Sequence, residues 1–139
     1  MMKQHLDPPT KLVHFESRRV VVPELFIAET FYARFLGLMG QTLQETEGLL
    51  LVPCKEIHMY FCKQALDIVF LRASPWSTWG IPPRNWQESQ LTVVSTRENV
   101  QPWRAFPLKD SKAHVTLELP PGSIQKRSIT KGEAFCISS

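Results

Sequence analysis

Eleven prolines are spread over the 139 residues, at positions 8, 9, 23, 53, 75, 82, 83, 102, 107, 120 and 121. A proline inside a helix removes a backbone hydrogen bond and clashes with the preceding turn, at a cost of about 3 kcal/mol. Prolines spaced this way leave little room for long helices. The segments between them have strand chemistry instead. LVHFES, RVVVPELFIA, GLLLVP, EIHMYF, LDIVFLR, LTVVSTRENV and HVTLELP are short and rich in β-branched and aromatic residues. HVTLELP alternates, with Val115, Leu117 and Leu119 on one face and His114, Thr116 and Glu118 on the other. KGEAFCIS supplies a final strand, and Arg18 and Arg19 fall at the turn between the first two.

Helix is expected in two places. Thr30 is a good N-cap, and FYARFLGLMG sets Phe31, Phe35 and Leu38 on one helical face, with Gly40 placed to end the helix. Gly37 inside it costs up to about 1 kcal/mol relative to alanine, which suggests close approach of another backbone. Ser123 could cap a second short turn running to Ile129. Many short strands with one or two short helices predict a mainly β fold, a compact jelly-roll-like sandwich or barrel. The length fits one domain. Residues 1–10, with Pro8 and Pro9, are read as a flexible arm, and 11–139 as a single β-rich domain. SPWSTWGIPPRNWQESQ (74–90) interrupts that rhythm. It carries three tryptophans and three prolines and is too long for an ordinary strand connection. Its aromatic content argues against disorder.

The formal charge of +3 is mild. Lys126, Arg127 and Lys131 form the nearest thing to a basic cluster, but no aromatics are interleaved with them, so no nucleic-acid partner is expected. No stretch approaches the roughly 20 apolar residues of a membrane span. The N-terminal sequence has no apolar signal core, and three cysteines are an odd count, so a cytoplasmic location with reduced thiols is expected.

Residues 54–70, CKEIHMYFCKQALDIVF, gather most of the reactive side chains. Cys54, His58 and Cys62 share a face in either a helix or a strand. On a strand, four residues span about 13 Å, which is too far for two ligands each within about 2.3 Å of one zinc ion. Composition favours the strand, and no CxxC or HxH pair occurs, so neither metal nor cofactor is expected. No GxSxG, P-loop or GxGxxG motif is present, and no catalytic residue is assigned. The cysteines read as small buried fillers. Asp67, between Leu66 and Ile68, is costly inside an apolar strand unless it is paired. It reads as a carboxylate that binds turn amides near Lys63, or else as a general base or ligand-binding acid. His58 reads as a satisfied core histidine or, with Tyr60, as part of a polar cluster.

Six short pieces occur in order: Arg34 with GLM (37–39), EGLLLV (47–52), IHMYFCKQALDIVFL (57–71), VQPWR (100–104), LELPPGS (117–123) and KGEAF (131–135). In order and approximate spacing they resemble the bacterial and archaeal domain-of-unknown-function family 192, over about residues 20–137. The resemblance implies a compact, jelly-roll-like β fold and no assigned activity. Arg34, His58, Asp67 and Trp103 fall on that family's recurrent positions. The 74–90 segment departs from it, standing where relatives have a tight turn. The resulting expectation is a non-enzymatic binding or accessory domain. Its polar patch of Arg34, His58, Asp67 and Trp103 would take a small polar or anionic ligand. Two alternatives are a hydrolase using Asp67 or His58 as general base, and a protein-interaction module anchored by Trp76, Trp79 and Trp86.

Overall fold

The computed structural model describes residues 7–30, 33–34, 38, 40–60, 62–76 and 81–139. Seven strands close into a barrel: β1 (Asp7–His14), β2 (Val20–Ala28), β3 (Glu47–Leu51), β5 (Leu66–Ser74), β6 (Gln90–Val100), β8 (Val115–Leu119) and β9 (Ala134–Ser138). Around the barrel the order is β1-β2-β3-β8-β5-β6-β9, and β9 pairs back onto β1. Among the described residues only the β2–β3 pair of the barrel is parallel. Two short strands outside the barrel, β4 (Glu56–Ile57) and β7 (Leu108–Lys109), pair with each other as a flap. The mainly β barrel expected from the proline spacing and strand chemistry is therefore what forms.

The barrel interior holds one core, with Val69, Leu71, Val115, Leu117, Leu119 and Leu50 among its residues. A second core lies between the outer wall of β3, β5 and β8 and the flap. Leu49, Leu51, Ile68 and Phe70 face it from the wall, and Ile57, Met59 and Leu108 from the flap. This arrangement explains the near-continuous apolar run of β5, because a strand buried on both faces has no solvent side to alternate toward. It also changes the meaning of the β8 pattern. Thr116 and Glu118 do alternate with Val115, Leu117 and Leu119, but their face is covered by the flap rather than by water. At Gly48 a Cβ would stand 3.0 Å from the side chains of both Leu119 and Val22, so any larger residue there would press on two core side chains.

Several local expectations need adjustment. β1 begins at Asp7 and therefore includes the last four residues of the segment read as an arm; residues 1–6 lie outside the described residues. Pro8 and Pro9 are accommodated because the β1–β2 register shifts between Asp7 and Thr10. Among the described residues of EIHMYF, only Glu56–Ile57 form a strand, where Lys109 and Leu108 supply partners. Phe31, Phe35 and Gly37 lie outside the described residues. Thr30 does act as a cap for the helical residues Ala33 and Arg34: its Oγ1 accepts the Ala33 amide (2.9 Å), and its carbonyl accepts the Arg34 amide (3.0 Å). The helix α1 (Ser123–Lys126) is one turn long. Ser123 does not cap it, since its hydroxyl donates to the Pro120 carbonyl (2.6 Å) and Gly122 precedes it with φ +90°.

Candidate functional site

The four residues of the expected polar patch fall into different environments. Asp67 points inward at the end of the barrel closed by α1 and is fully buried. One carboxylate oxygen accepts the Asn99 amide (2.8 Å) and the other accepts the Ile124 amide (2.9 Å). The first contact holds a bulge: Leu66 pairs with Val100 and Ile68 with Arg97, leaving Glu98 and Asn99 opposite Asp67, and Asn99 takes φ +52°. The second supplies the N-cap that Ser123 does not, because Ile124 is the second residue of α1. Asp67 thus binds backbone amides, but those of β6 and α1 rather than the turn near Lys63.

Arg34 lies on the half-buried helical turn after β2, with Nη1 donating to the Pro53 carbonyl (3.2 Å). Its charge acts on the neighbouring Cys54 thiol, although burial is the larger influence and raises that thiol's pKa. No hydrogen bond or ion pair joins Arg34, His58 and Asp67 among the described residues. His58 is exposed and lies against Tyr60, ring centroids 4.8 Å apart. The Tyr60 hydroxyl donates to the Ala105 carbonyl (3.1 Å) and so ties the flap to the 101–107 turn. That turn carries Trp103 and Phe106, 79% and 77% exposed, while Tyr60 is 52% exposed. Tyr60, and His58 against it, are therefore tied to the turn that carries Trp103 and Phe106, whereas Asp67 is sealed inside the barrel.

The tryptophans of the 74–90 segment are placed differently from Trp103. Trp86 opens a 3-10 turn (Trp86–Glu88), is 2% exposed, and donates its indole N–H to Glu29 (2.7 Å). Trp76 stacks on His114 at 4.9 Å with the rings 7° from parallel, and the His114 Nδ1 accepts the Ala73 amide (3.0 Å). The Ser89 hydroxyl closes the base of the segment on the Pro75 carbonyl (3.0 Å). Trp76 and Trp86 are thus parts of a local cover over one end of the barrel, not exposed anchors. Trp79 lies outside the described residues. Among the described residues the exposed indole is Trp103, which the family resemblance pointed to and the strand pattern did not.

Burial disfavours the charged forms of the reactive groups near the flap. Cys54 and Cys62 are unpaired and pack against the second core. Burial raises both thiols, Cys62 to about 11, and the Glu118 carboxyl raises each further. Burial also pushes Glu118 itself up to about 7. These values suit filler cysteines rather than thiolate nucleophiles. Among the described residues, no three of His, Cys, Asp and Glu converge as a metal site. Two members of the expected basic cluster are engaged as structure: Lys126 pairs with Glu45, and Arg127 bonds to the carbonyls of Val21 and Glu45.

Comparison with known proteins supports the resemblance stated above. Residues 13–75 match the domain-of-unknown-function family 192, described as "Uncharacterized ACR". The match covers β2 to β5 and stops short of Trp103. No curated protein matches the chain. Two crystal structures share the fold. A protein of unknown function from Novosphingobium aromaticivorans aligns at 21% identity with a TM-score of 0.67, covering 91% of this chain and 82% of its own. A candidate transcription regulator from Sinorhizobium meliloti aligns at 17% identity with a TM-score of 0.70, covering 94% and 92%. At these identities the likeness is one of fold.

Proposed function

We propose that this protein is a non-enzymatic binding domain whose ligand surface is the outer side of the β4–β7 flap and the 101–107 turn. The observation that carries the reading is the exposure of Trp103 and Phe106 beside the Tyr60–His58 ring pair. Exposed aromatic rings with a polar surround are the usual anchors of recognition surfaces. The ligand class is polar or anionic, because Arg104 and Lys109 flank the rings. Of the residues first suggested by sequence, His58 and Trp103 belong to this surface. Arg34 supports the Pro53 turn that leads into the flap, and Asp67 supports the barrel end.

A hydrolase reading finds little support. A general base must reach its substrate, and both oxygens of Asp67 are taken by buried amides. The cytoplasm suits the chain because its three cysteines are unpaired. The described strands form one β-rich domain from Asp7 onward, with Trp76 and Trp86 covering one end of the barrel.

The test is calorimetry with a panel of nucleoside monophosphates, dicarboxylates and aromatic acids, on the wild type and on a Trp103→Ala/Phe106→Ala variant. At least one probe should bind the wild type, and the variant should lose about tenfold or more in affinity, the cost of about 1.4 kcal/mol. No binding to the wild type, or equal binding to both proteins, would contradict the reading.

A further inference from the structure

The flap surface carries more than exposed rings. Residues 55–63 and 101–109, the two segments that meet there, contain Lys55, Lys63, Arg104 and Lys109 against the single carboxylate Glu56. Four cations against one anion equals the whole formal charge of the chain, +3, so the remainder of the protein is balanced. The large exposed apolar side chains among the described residues of these segments are rings, Tyr60, Trp103 and Phe106, with Ala105 and Pro107 exposed beside them. Their aliphatic residues Ile57, Met59 and Leu108 point into the second core. The Nε of exposed Arg104 donates to the Phe106 carbonyl (3.1 Å), which holds its guanidinium on the turn that presents the rings.

From this juxtaposition of exposed rings and concentrated positive charge, we propose that the flap surface binds single-stranded nucleic acid. The proposal rests on the binding-surface reading above and specifies its ligand. A single strand offers the two features this surface can use: phosphates for the cations, and unstacked bases whose π faces lie against aromatic side chains whatever the sequence. A protein partner could anchor on the same tryptophan, tyrosine and arginine, but four cations against one carboxylate in these segments favour a polyanion. An acidic peptide would meet the charge but leave three exposed rings unused. Aromatics interleaved with cations are the feature missing at Lys126, Arg127 and Lys131. Here each segment interleaves rings with cations in sequence, and the fold joins the two segments.

The experiment is fluorescence anisotropy of a labelled oligothymidylate of about 16 nucleotides, at the upper end of single-strand site sizes. It is titrated with the wild type, Trp103→Ala, Trp103→Phe and Arg104→Ala, with thermal melts as fold controls. Binding should weaken with salt, with a log–log slope reaching about −3 if all four cations meet phosphates. Arg104→Ala should reduce the magnitude of that slope by about 0.7. Trp103→Ala should cost at least about fivefold in affinity, and Trp103→Phe should recover most of it. Absence of binding at low salt overturns the inference, as does binding that Trp103→Ala leaves unchanged. It is also overturned if polyglutamate or anionic lipid vesicles bind this face and the oligonucleotide does not, or if the face is buried by concentration-dependent self-association. If the small-molecule panel depends on Trp103 while the oligonucleotide fails, the nucleic-acid inference falls and the binding surface stands. If both fail, both readings fall.

Discussion

Replacing Asp67 should damage the fold rather than a reaction. The carboxylate accepts two backbone amides, one at the bulge of β6 and one at the first turn of α1. Hydrogen bonds to a charged group contribute about 1.5–3 kcal/mol each, and a buried donor left without a partner costs about 1–3 kcal/mol. Asp67→Ala loses both contacts and leaves the Ile124 amide unpaired in a buried position, so its expected cost is about 3–5 kcal/mol. Asp67→Asn keeps the shape but turns an NH2 group toward one of the two amides, and should cost about 2–3 kcal/mol. Either loss is a large fraction of the 5–15 kcal/mol that holds a typical domain together. Urea denaturation of the three proteins would show midpoints falling with unchanged slope. Amide exchange should lose protection first at Ile124 and Asn99. A carboxylate kept for chemistry behaves in the opposite way, since its removal usually leaves stability intact or raises it. If Asp67→Asn and Asp67→Ala both stay within about 1 kcal/mol of the wild type, the assignment of Asp67 as a clasp between β6 and α1 is wrong.

Two further outcomes follow from the buried polar groups. Burial raises Glu118 from the ordinary glutamate value to about 7, so the folded state holds a proton that the unfolded chain has released. Stability should therefore fall as pH rises from about 4.5 to 7, by an order of 3 kcal/mol, and Glu118→Gln should flatten that fall in urea melts at about pH 5 and 8. A variant with the wild-type pH profile would refute it. Trp86→Phe removes the indole donor to Glu29 and leaves a partly filled site at the barrel end, costing about 1–3 kcal/mol, while Glu29→Gln in the wild-type background should cost less than 1.5 kcal/mol because an acceptor remains. Equal losses in the two variants would show that packing does not dominate there.

The legible parts of the sequence were those governed by local pattern. The proline spacing forbade long helices, and the alternation of β8 placed Val115, Leu117 and Leu119 on the inner face. Tertiary context decided the rest. Thr116 and Glu118 have the look of a solvent face, yet the flap buries them. EIHMYF has strand composition throughout, yet pairing ends after Ile57 as the chain turns toward Tyr60. The 74–90 segment showed its tryptophans plainly, but nothing local revealed that Trp86 enters the core through Glu29 or that Trp76 stacks on His114. The candidate surface was the least legible feature. His58 and Trp103 were both singled out, but Phe106 and Arg104 were not. The surface exists only because β4 pairs with β7 and Tyr60 reaches Ala105. A count of charge along the chain could have flagged these two segments, but only the pairing joins them.

The most direct test of the binding surface is the set of four tryptophan indole N–H resonances in a nitrogen-15 spectrum, recorded as a bound nucleoside monophosphate or oligothymidylate is added. Trp103 should shift or broaden as the site fills, while Trp86, buried and bonded to Glu29, should remain fixed. Saturable binding that moves Trp86 or Trp76 and leaves Trp103 in place would contradict the account and move the ligand site to the 74–90 cover.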